Sequence, residues 1–298
     1  MRLIDAAGVA ALGPAAAVQA ITDALRGGLD PATDPARVSV DLRNGQFLLM
    51  PSQTPAAVGV KVVTVAPDNP NRGLPRIQAA YLLFDQRTLA LRAIVDGNAL
   101  TTLRTAAVSV AAVLDRLPDR ALRVAVIGAG PQAVGHASTL AAVRPLESAT
   151  YLVRDPSRTQ LDAVALGSPQ ADEALRSADV VVCATSARSP VFDSALLGDA
   201  AVVVAVGSHE PDARELDASL LGRATVVVED GAAALREAGD VILAVADGTL
   251  EPADLLPMRD VVTGAVEVPT DQPLVFKSVG MGWQDLVVAA AVLEHSER

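Results

Sequence analysis

Two cations stand where apolar sequence would exclude them. Lys61 interrupts "VGVKVV", and Arg104 interrupts the small, uncharged run "LTTLRTAA". A buried ammonium or guanidinium is costly unless an anion meets it. Two readings follow: internal ion pairs, or a site for an anionic ligand, with a carboxylate the best match to the planar Arg fork. A third residue able to do chemistry, His209, stands in "AVGSHEPDARELD" straight after an apolar run. That is the tip of a strand, where open α/β sheets keep their ligands. A histidine there can line a pocket or relay a proton near neutrality. His209, Glu210 and Asp212 cluster, but without a second His or Cys at ligand spacing no metal site is expected.

The stretch "VAVIGAGPQAVGH" places Gly128, Gly130 and Ala133 at G-x-G-x-x-A spacing. An apolar strand precedes it and a helix follows, the context a dinucleotide loop requires. Gly128 permits the tight turn, Gly130 lets a pyrophosphate approach the backbone, and Ala133 allows close helix–strand packing. Pro131 and Gln132 complete the loop and open the helix, whose N-terminus attracts the anion. The next strand ends "YLVRDPSR". Arg154 falls where an NAD protein usually carries an acid, with Arg158 nearby, and a guanidinium suits a 2′-phosphate. NADP(H) is therefore the expected cofactor and NAD(H) the alternative, in which Asp155 takes the ribose.

These residues need elements to position them. Residues up to about 97 show one early helix and then extended runs separated by Gly, Pro and Asn turns, a mainly antiparallel sheet. "ALTTLRTAAVSVAAVLDRL" has helical spacing and ends before Pro118. From Arg123 the pattern becomes βαβ, with "RVAVIG", "ATYLVR", "ADVVVCATS", "AAVVVAVGS" and "TVVVED" as strands. Apolar strands without alternation indicate a parallel sheet covered on both faces. The expected fold is α/β: a Rossmann-type, doubly wound parallel sheet domain over residues 116–282, plus an α+β substrate and dimerisation domain over residues 1–115, to which a last helix at 283–298 returns.

The composition agrees: 51% of the 298 residues are hydrophobic and only 2% aromatic, so the core must be Val, Ala and Leu. A net charge of −11 disfavours nucleic acid and anionic membranes as partners. No unbroken apolar run reaches the roughly 18 residues of a membrane span. The N-terminus reads as a short strand and an amphipathic helix rather than a signal peptide. A single cysteine, Cys183 in "DVVVCAT", excludes an internal disulfide and reads as a buried, inert thiol. A cytoplasmic location is the default expectation.

Taken together, "GAGPQA" followed by His136, "DGNALTTLRTAA", "GVKVVTVAPDNPNRGLP", "VGSHEPDARELD" and "VFKSVGMGWQDL" resemble the ornithine cyclodeaminase/mu-crystallin family. The resemblance runs in order over nearly the whole chain. It implies a homodimer formed through the N-terminal sheet and a small α-imino or α-amino acid substrate. It also implies that Arg37, Lys61 and Arg104 surround the substrate carboxylate, with Arg43 a nearby competitor for Arg37. The family's cyclodeaminases use two acids, and the matching positions here look like Leu48 and His209. Neither is a carboxylate, although Glu210 adjoins one of them. A substrate's cationic side-chain amine would be left unpaired.

The expected activity is therefore NAD(P)H-dependent reduction of an α-imino acid, such as Δ1-pyrroline-2-carboxylate or Δ1-piperideine-2-carboxylate. Ornithine cyclodeaminase or alanine dehydrogenase chemistry, or NADPH binding with little turnover, are the alternatives. Lys61, Arg104 and His209 are the expected catalytic residues. Thr185 in "CATSAR", and the turn Ser278, Val279 and Gly280, are expected against the nicotinamide. Asp285 reads as a cap or orienter of the last helix, His136 as a packing residue and His295 as inert.

Overall fold

The structure, a computed structural model, describes all 298 residues, and the chain divides into two compact units. The first comprises residues 1–108 and 280–298, the second residues 109–279.

The first unit holds strands β1 (Arg2–Ile4), β2 (Val38–Leu42), β3 (Gly45–Gln53), β4 (Ala57–Val65), β5 (Ile77–Asp85) and β6 (Leu91–Asp96). They form one sheet in the order β1-β6-β5-β4-β3-β2, parallel at β1 and antiparallel elsewhere. Between β1 and β2 lie helices α1 (Ala6–Ala10) and α2 (Pro14–Arg26). Pro14 opens α2, where its missing N–H is not needed. Ala17, Val18, Ile21 and Leu25 form its buried face at helical spacing. The C-terminal helix (Gly282–Ser296) belongs to this unit and packs against α2, β3 and β4. β4 alternates buried and half-buried residues, which points Lys61 inward. At the sheet edge, β2 is exposed along its whole length.

Helix α3 (Gly97–Val113) follows β6. With the short turn after it, Gly97–Arg116 is long and apolar enough to cross a membrane by length and composition alone. A search for unbroken apolar runs passes over it because Arg104 interrupts the run. It is a core helix, with 67% of its apolar window buried inside the protein.

The second unit holds β7 (Leu122–Ile127), α4 (Pro131–Val143), β8 (Leu146–Val153), β9 (Ala163–Ala165), α5 (Pro169–Ser177), β10 (Val180–Cys183) and β11 (Val202–Ala205). Then come α6 (Ala218–Arg223), β12 (Thr225–Val228), α7 (Gly231–Glu237), α8 (Gly239–Ala246), β13 (Leu256–Pro257), α9 (Met258–Val262) and β14 (Leu274–Lys277). The sheet order is β13-β12-β14-β11-β10-β7-β8-β9, and every pairing is parallel. Every residue of β10, β11, β12 and β14 is buried, as strands covered on both faces require. Ala125, Val181, Val203, Val226 and Val275 share one core cluster. The strand order reverses between β7 and β10, and ligands of such sheets bind at that switch point.

Candidate functional site

In the first unit, cations from three elements gather around the start of the C-terminal helix. Lys61 lies mid-β4, opposite Met50 and Tyr81, and Arg104 lies mid-α3; both are buried. Each meets Asp285, which has no exposed surface: Lys61 Nζ is 2.7 Å from Oδ2, and Arg104 Nε is 3.2 Å from Oδ1. Arg104 Nη1 also donates to Gln284 Oε1. Arg37 Nη2 donates to the Gly280 carbonyl at 2.8 Å, whereas Arg43 is exposed in the β2–β3 turn. At Gly280, φ is +80° and a Cβ would lie 2.9 Å from Arg104 Nη1. Only glycine lets the backbone lie this close to the guanidinium in that conformation.

Lys61 and Arg104 share one carboxylate, Asp285, and Asp34 is the other acid nearby. Asp34 accepts from Ser52 Oγ at 2.6 Å and from the Trp283 amide at 3.0 Å, and burial pushes its pKa up. Burial, with the Arg104 charge, pushes the Lys61 ammonium down to about 8, against the pull of Asp285. The internal ion pair anticipated as an alternative exists, but one carboxylate serves two cations. Two buried cations on one acid suit a small carboxylate ligand. Asp285 does not cap its helix as expected, since its carboxylate faces Lys61 and Arg104. Leu48 lies half-buried on β3 opposite Val63.

In the second unit, the loop after β7 opens on a cleft of about 840 Å³. Gly128, Gly130, Arg154, Asp155, Arg158, Thr185 and Arg188 are among its lining residues. Gly128 has φ of +122°, and a Cβ there would lie 2.5 Å from the Ala184 carbonyl oxygen. A Cβ on Gly130 would meet nothing within 4 Å, so the space above this loop is open for a pyrophosphate. The loop, the helix N-terminus behind it and the cleft fit a dinucleotide. Pro131, Gln132 and Ala133 are not part of the lining: Pro131 opens α4 and Ala133 packs inward. The Gln132 carbonyl lies 2.7 Å from His136 Nδ1, whose other ring nitrogen is 3.0 Å from Ser109 Oγ. Burial holds the His136 pKa down at about 4, so the ring is neutral and structural.

At the end of β8, Asp155 accepts from the Ser157 amide at 3.0 Å and hydroxyl at 2.7 Å, capping a short turn. Arg154 and Arg158 are exposed on the cleft wall. Thr185 lines the cleft, but its amide and hydroxyl donate to Glu215 Oε1 at 2.8 and 2.7 Å. Glu215 Oε2 accepts from the Gly207 amide at 2.7 Å, so one buried carboxylate joins the loops after β10 and β11. Lys277 Nζ donates to the Ser208 carbonyl at 2.6 Å and lies 2.9 Å from Asp240 Oδ2. Asp240 Oδ1 accepts from the amides of Glu215 and Leu216. This knot anchors the segment on which His209, exposed, projects. Glu210 and Asp212 both pair with Arg188. Ser278 is buried, and its hydroxyl and the Val279 amide donate to Glu229 at 2.7 and 2.8 Å. Thr185 and the turn at Ser278 and Val279, expected against a nicotinamide, make these hydrogen bonds within the protein.

Gln284, Glu215, Asp240 and Glu229 escape the sequence reading, which takes Asp285 only as a cap or orienter of the last helix. One signal was present: an acid inside an apolar stretch, as in "GWQDLVV" and "GDVILAV", asks for a buried partner just as Lys61 does.

The ornithine cyclodeaminase/mu-crystallin family model matches residues 10–298. The ketimine reductase mu-crystallin of Rattus norvegicus is 35% identical over 86% of this chain and 82% of its own. A Δ1-pyrroline-2-carboxylate/Δ1-piperideine-2-carboxylate reductase of Azospirillum brasilense is 36% identical over 90% and 86%. Among solved structures, the Δ1-pyrroline-2-carboxylate reductase of Thermococcus litoralis, in complex with NADH and L-proline, aligns with a TM-score of 0.89 at 26% identity. That alignment covers 100% of this chain and 98% of the other. Sequence and fold agree on one assignment: the chain belongs to the ornithine cyclodeaminase/mu-crystallin family.

Proposed function

We propose that this protein is a nicotinamide-dependent reductase of cyclic α-imino acids, converting Δ1-pyrroline-2-carboxylate or Δ1-piperideine-2-carboxylate to the amino acid. The observation that carries the reading is that two buried cations, Lys61 and Arg104, share a single carboxylate, Asp285. Relatives named for this reaction resemble the chain over most of its length. The bound nicotinamide supplies a hydride to the imine carbon. Arg104, with Arg37, holds the carboxylate and fixes the orientation of the C=N bond. The ring nitrogen must gain a proton as the hydride adds. The Lys61 ammonium, with its pKa brought down to about 8, is charged at neutral pH yet able to release that proton.

Cyclodeamination of a diamino acid is disfavoured because neither Leu48 nor His209 can neutralise a second amine, and Glu210 is engaged by Arg188. NADP(H) is the preferred cofactor in this reading. Asp155, the acid that would take an NAD ribose, has one oxygen engaged by Ser157, while both Arg154 and Arg158 line the cleft. A second copy of the chain would cover β2, where Val38, Val40 and Leu42 are 50, 41 and 44% exposed. An apolar edge strand of this kind is normally paired or covered.

The test is to mix protein, NADPH and each cyclic ketimine and follow the nicotinamide absorbance. Turnover supports the reading. Tight NADPH binding without turnover, across imino acids and keto acids with amines, would leave a binding protein. Ammonia release from ornithine with catalytic NAD would restore the cyclodeaminase.

A further inference from the structure

We propose that Asp285 is a positioning residue of the substrate site, holding the Lys61 ammonium and the Arg104 guanidinium in one register. The inference deepens the reductase reading and rests on it only for its kinetic arm. Asp285 is fully buried, and each of its two oxygens takes a different cation, Oδ2 the Lys61 ammonium and Oδ1 the Arg104 Nε. Gln284, one residue earlier on the same helix, takes Arg104 Nη1. The edge of the guanidinium is thereby fixed from two successive residues of one element. Its face is set by Gly280, where a side chain would collide with Nη1 and Nη2. The hydrogen bond to Gln284 and the charge of Asp285 hold the fork along one edge, and Nη2 lies outside both contacts. On the other side, Lys61 Nζ lies 2.7 Å from Asp285 Oδ2 and 3.5 Å from the Thr101 hydroxyl.

The groups facing Lys61 define what removal of Asp285 does. Arg104 from α3 and Arg37 from the loop before β2 repel the ammonium, and burial disfavours its charge. Asp285 is the group that favours it. Tyr81, opposite on β5, has its phenol pKa raised well above its ordinary value by burial, and Asp34 is hydrogen-bonded elsewhere. Without Asp285, Lys61 would therefore lose its proton at lower pH, and Arg104 would lose its lateral stop.

The chain has only two lysines, Lys61 and Lys277, so protein labelled with 15N-lysine yields two ammonium signals, which Lys61→Met assigns. In Asp285→Asn, of nearly the same shape, the Lys61 titration is expected to fall below the wild-type value of about 8 by at least about one unit. The basic limb of kcat/KM for Δ1-pyrroline-2-carboxylate should move with it, and kcat/KM at neutral pH should fall about 100-fold, the usual scale for a misplaced binding group. The NADPH dissociation constant should not change. Asp285→Glu, which keeps the charge, guards against a variant that fails to fold. It should retain a Lys61 titration close to wild type while kcat still falls through misplacement of Arg104. A lower melting temperature with an unmoved Lys61 titration and pH profile would overturn the proposal, leaving Asp285 merely structural. If the titration moves but the wild type reduces no imino acid, the reductase reading fails and the positioning role stands.

Discussion

Both lysines of this chain sit in apolar strands beside a fully buried aspartate, and they do different things. Lys277 Nζ has a backbone carbonyl and Asp240, whose second oxygen takes two amides, so the group is closed on itself. Lys61 shares Asp285 with Arg104, and Arg37 adds a third cation nearby. Burial of a lysine is thus no sign of function by itself. The sign is the ratio: in the second unit one lysine faces two buried carboxylates, Asp240 and Glu215, whereas in the first Lys61 and Arg104 share one, Asp285.

The strongest way to break this comparison is to remove each lysine. Lys61→Met, and likewise Arg104→Met, should lower kcat/KM for a cyclic ketimine by about a thousandfold, the upper range for losing one preorganised donor, while the melting temperature holds. Lys277→Met should do the reverse. It strands Asp240, which costs about 3–5 kcal/mol of stability, yet activity per folded molecule should stay within a few-fold. Calorimetry beside steady-state kinetics reads both. A large loss of turnover in stable Lys277→Met would erase the distinction.

The next effect concerns the cofactor cleft. Arg154→Asp with Arg158→Ser should lower the NADPH/NADH preference by about 10–100-fold, as loss of a charge-assisted fork implies. An unchanged ratio would contradict the assignment of these arginines to a 2′-phosphate.

pH sharpens the comparison. In the first unit, kcat/KM should decline above about pH 8 as Lys61 loses its proton. In the second, His136 is neutral when folded, with a pKa of about 4 against 6.5 unfolded. On acidification from 6.5 the unfolded chain gains a proton that the native one refuses. Stability should therefore fall between pH 6.5 and 4, by on the order of 2–3 kcal/mol. His136→Asn should flatten this slope in melting curves taken across that range. The smallest effect belongs to His209→Ala, expected to lower kcat/KM less than about tenfold, since general acid catalysis by a positioned group is worth about 100-fold or more. A loss beyond that would make His209 the proton donor.

Much of this was legible from local chemistry. The Gly128–Gly130 loop could be read because turn, glycine and helix start are all sequence neighbours. Lys61 and Arg104 could be read because charge in an apolar run is locally anomalous. Their partner could not, because Asp285 reaches them only after the last helix folds onto the sheet. Lys277, in "LVFKS", carried the same anomaly, and only its tertiary partners distinguish a closed pair from an open one. Asp155 shows the converse. Its position suggested a ribose contact, and a serine two residues on takes one of its oxygens, Oδ1. Helix α3 meets the length and composition of a membrane span because it is core.

The central claim is that the cation pair at Lys61 and Arg104 recognises a carboxylate. Its most direct measurement compares Δ1-pyrroline-2-carboxylate with Δ1-pyrroline, which lacks that group, in wild type and in Arg104→Met. The wild type should prefer the carboxylate by at least about a hundredfold in kcat/KM, on the scale of a buried charge-assisted pair, and Arg104→Met should lose most of that preference. If Arg104→Met slows both substrates equally, the guanidinium does not read the carboxylate and the account is wrong.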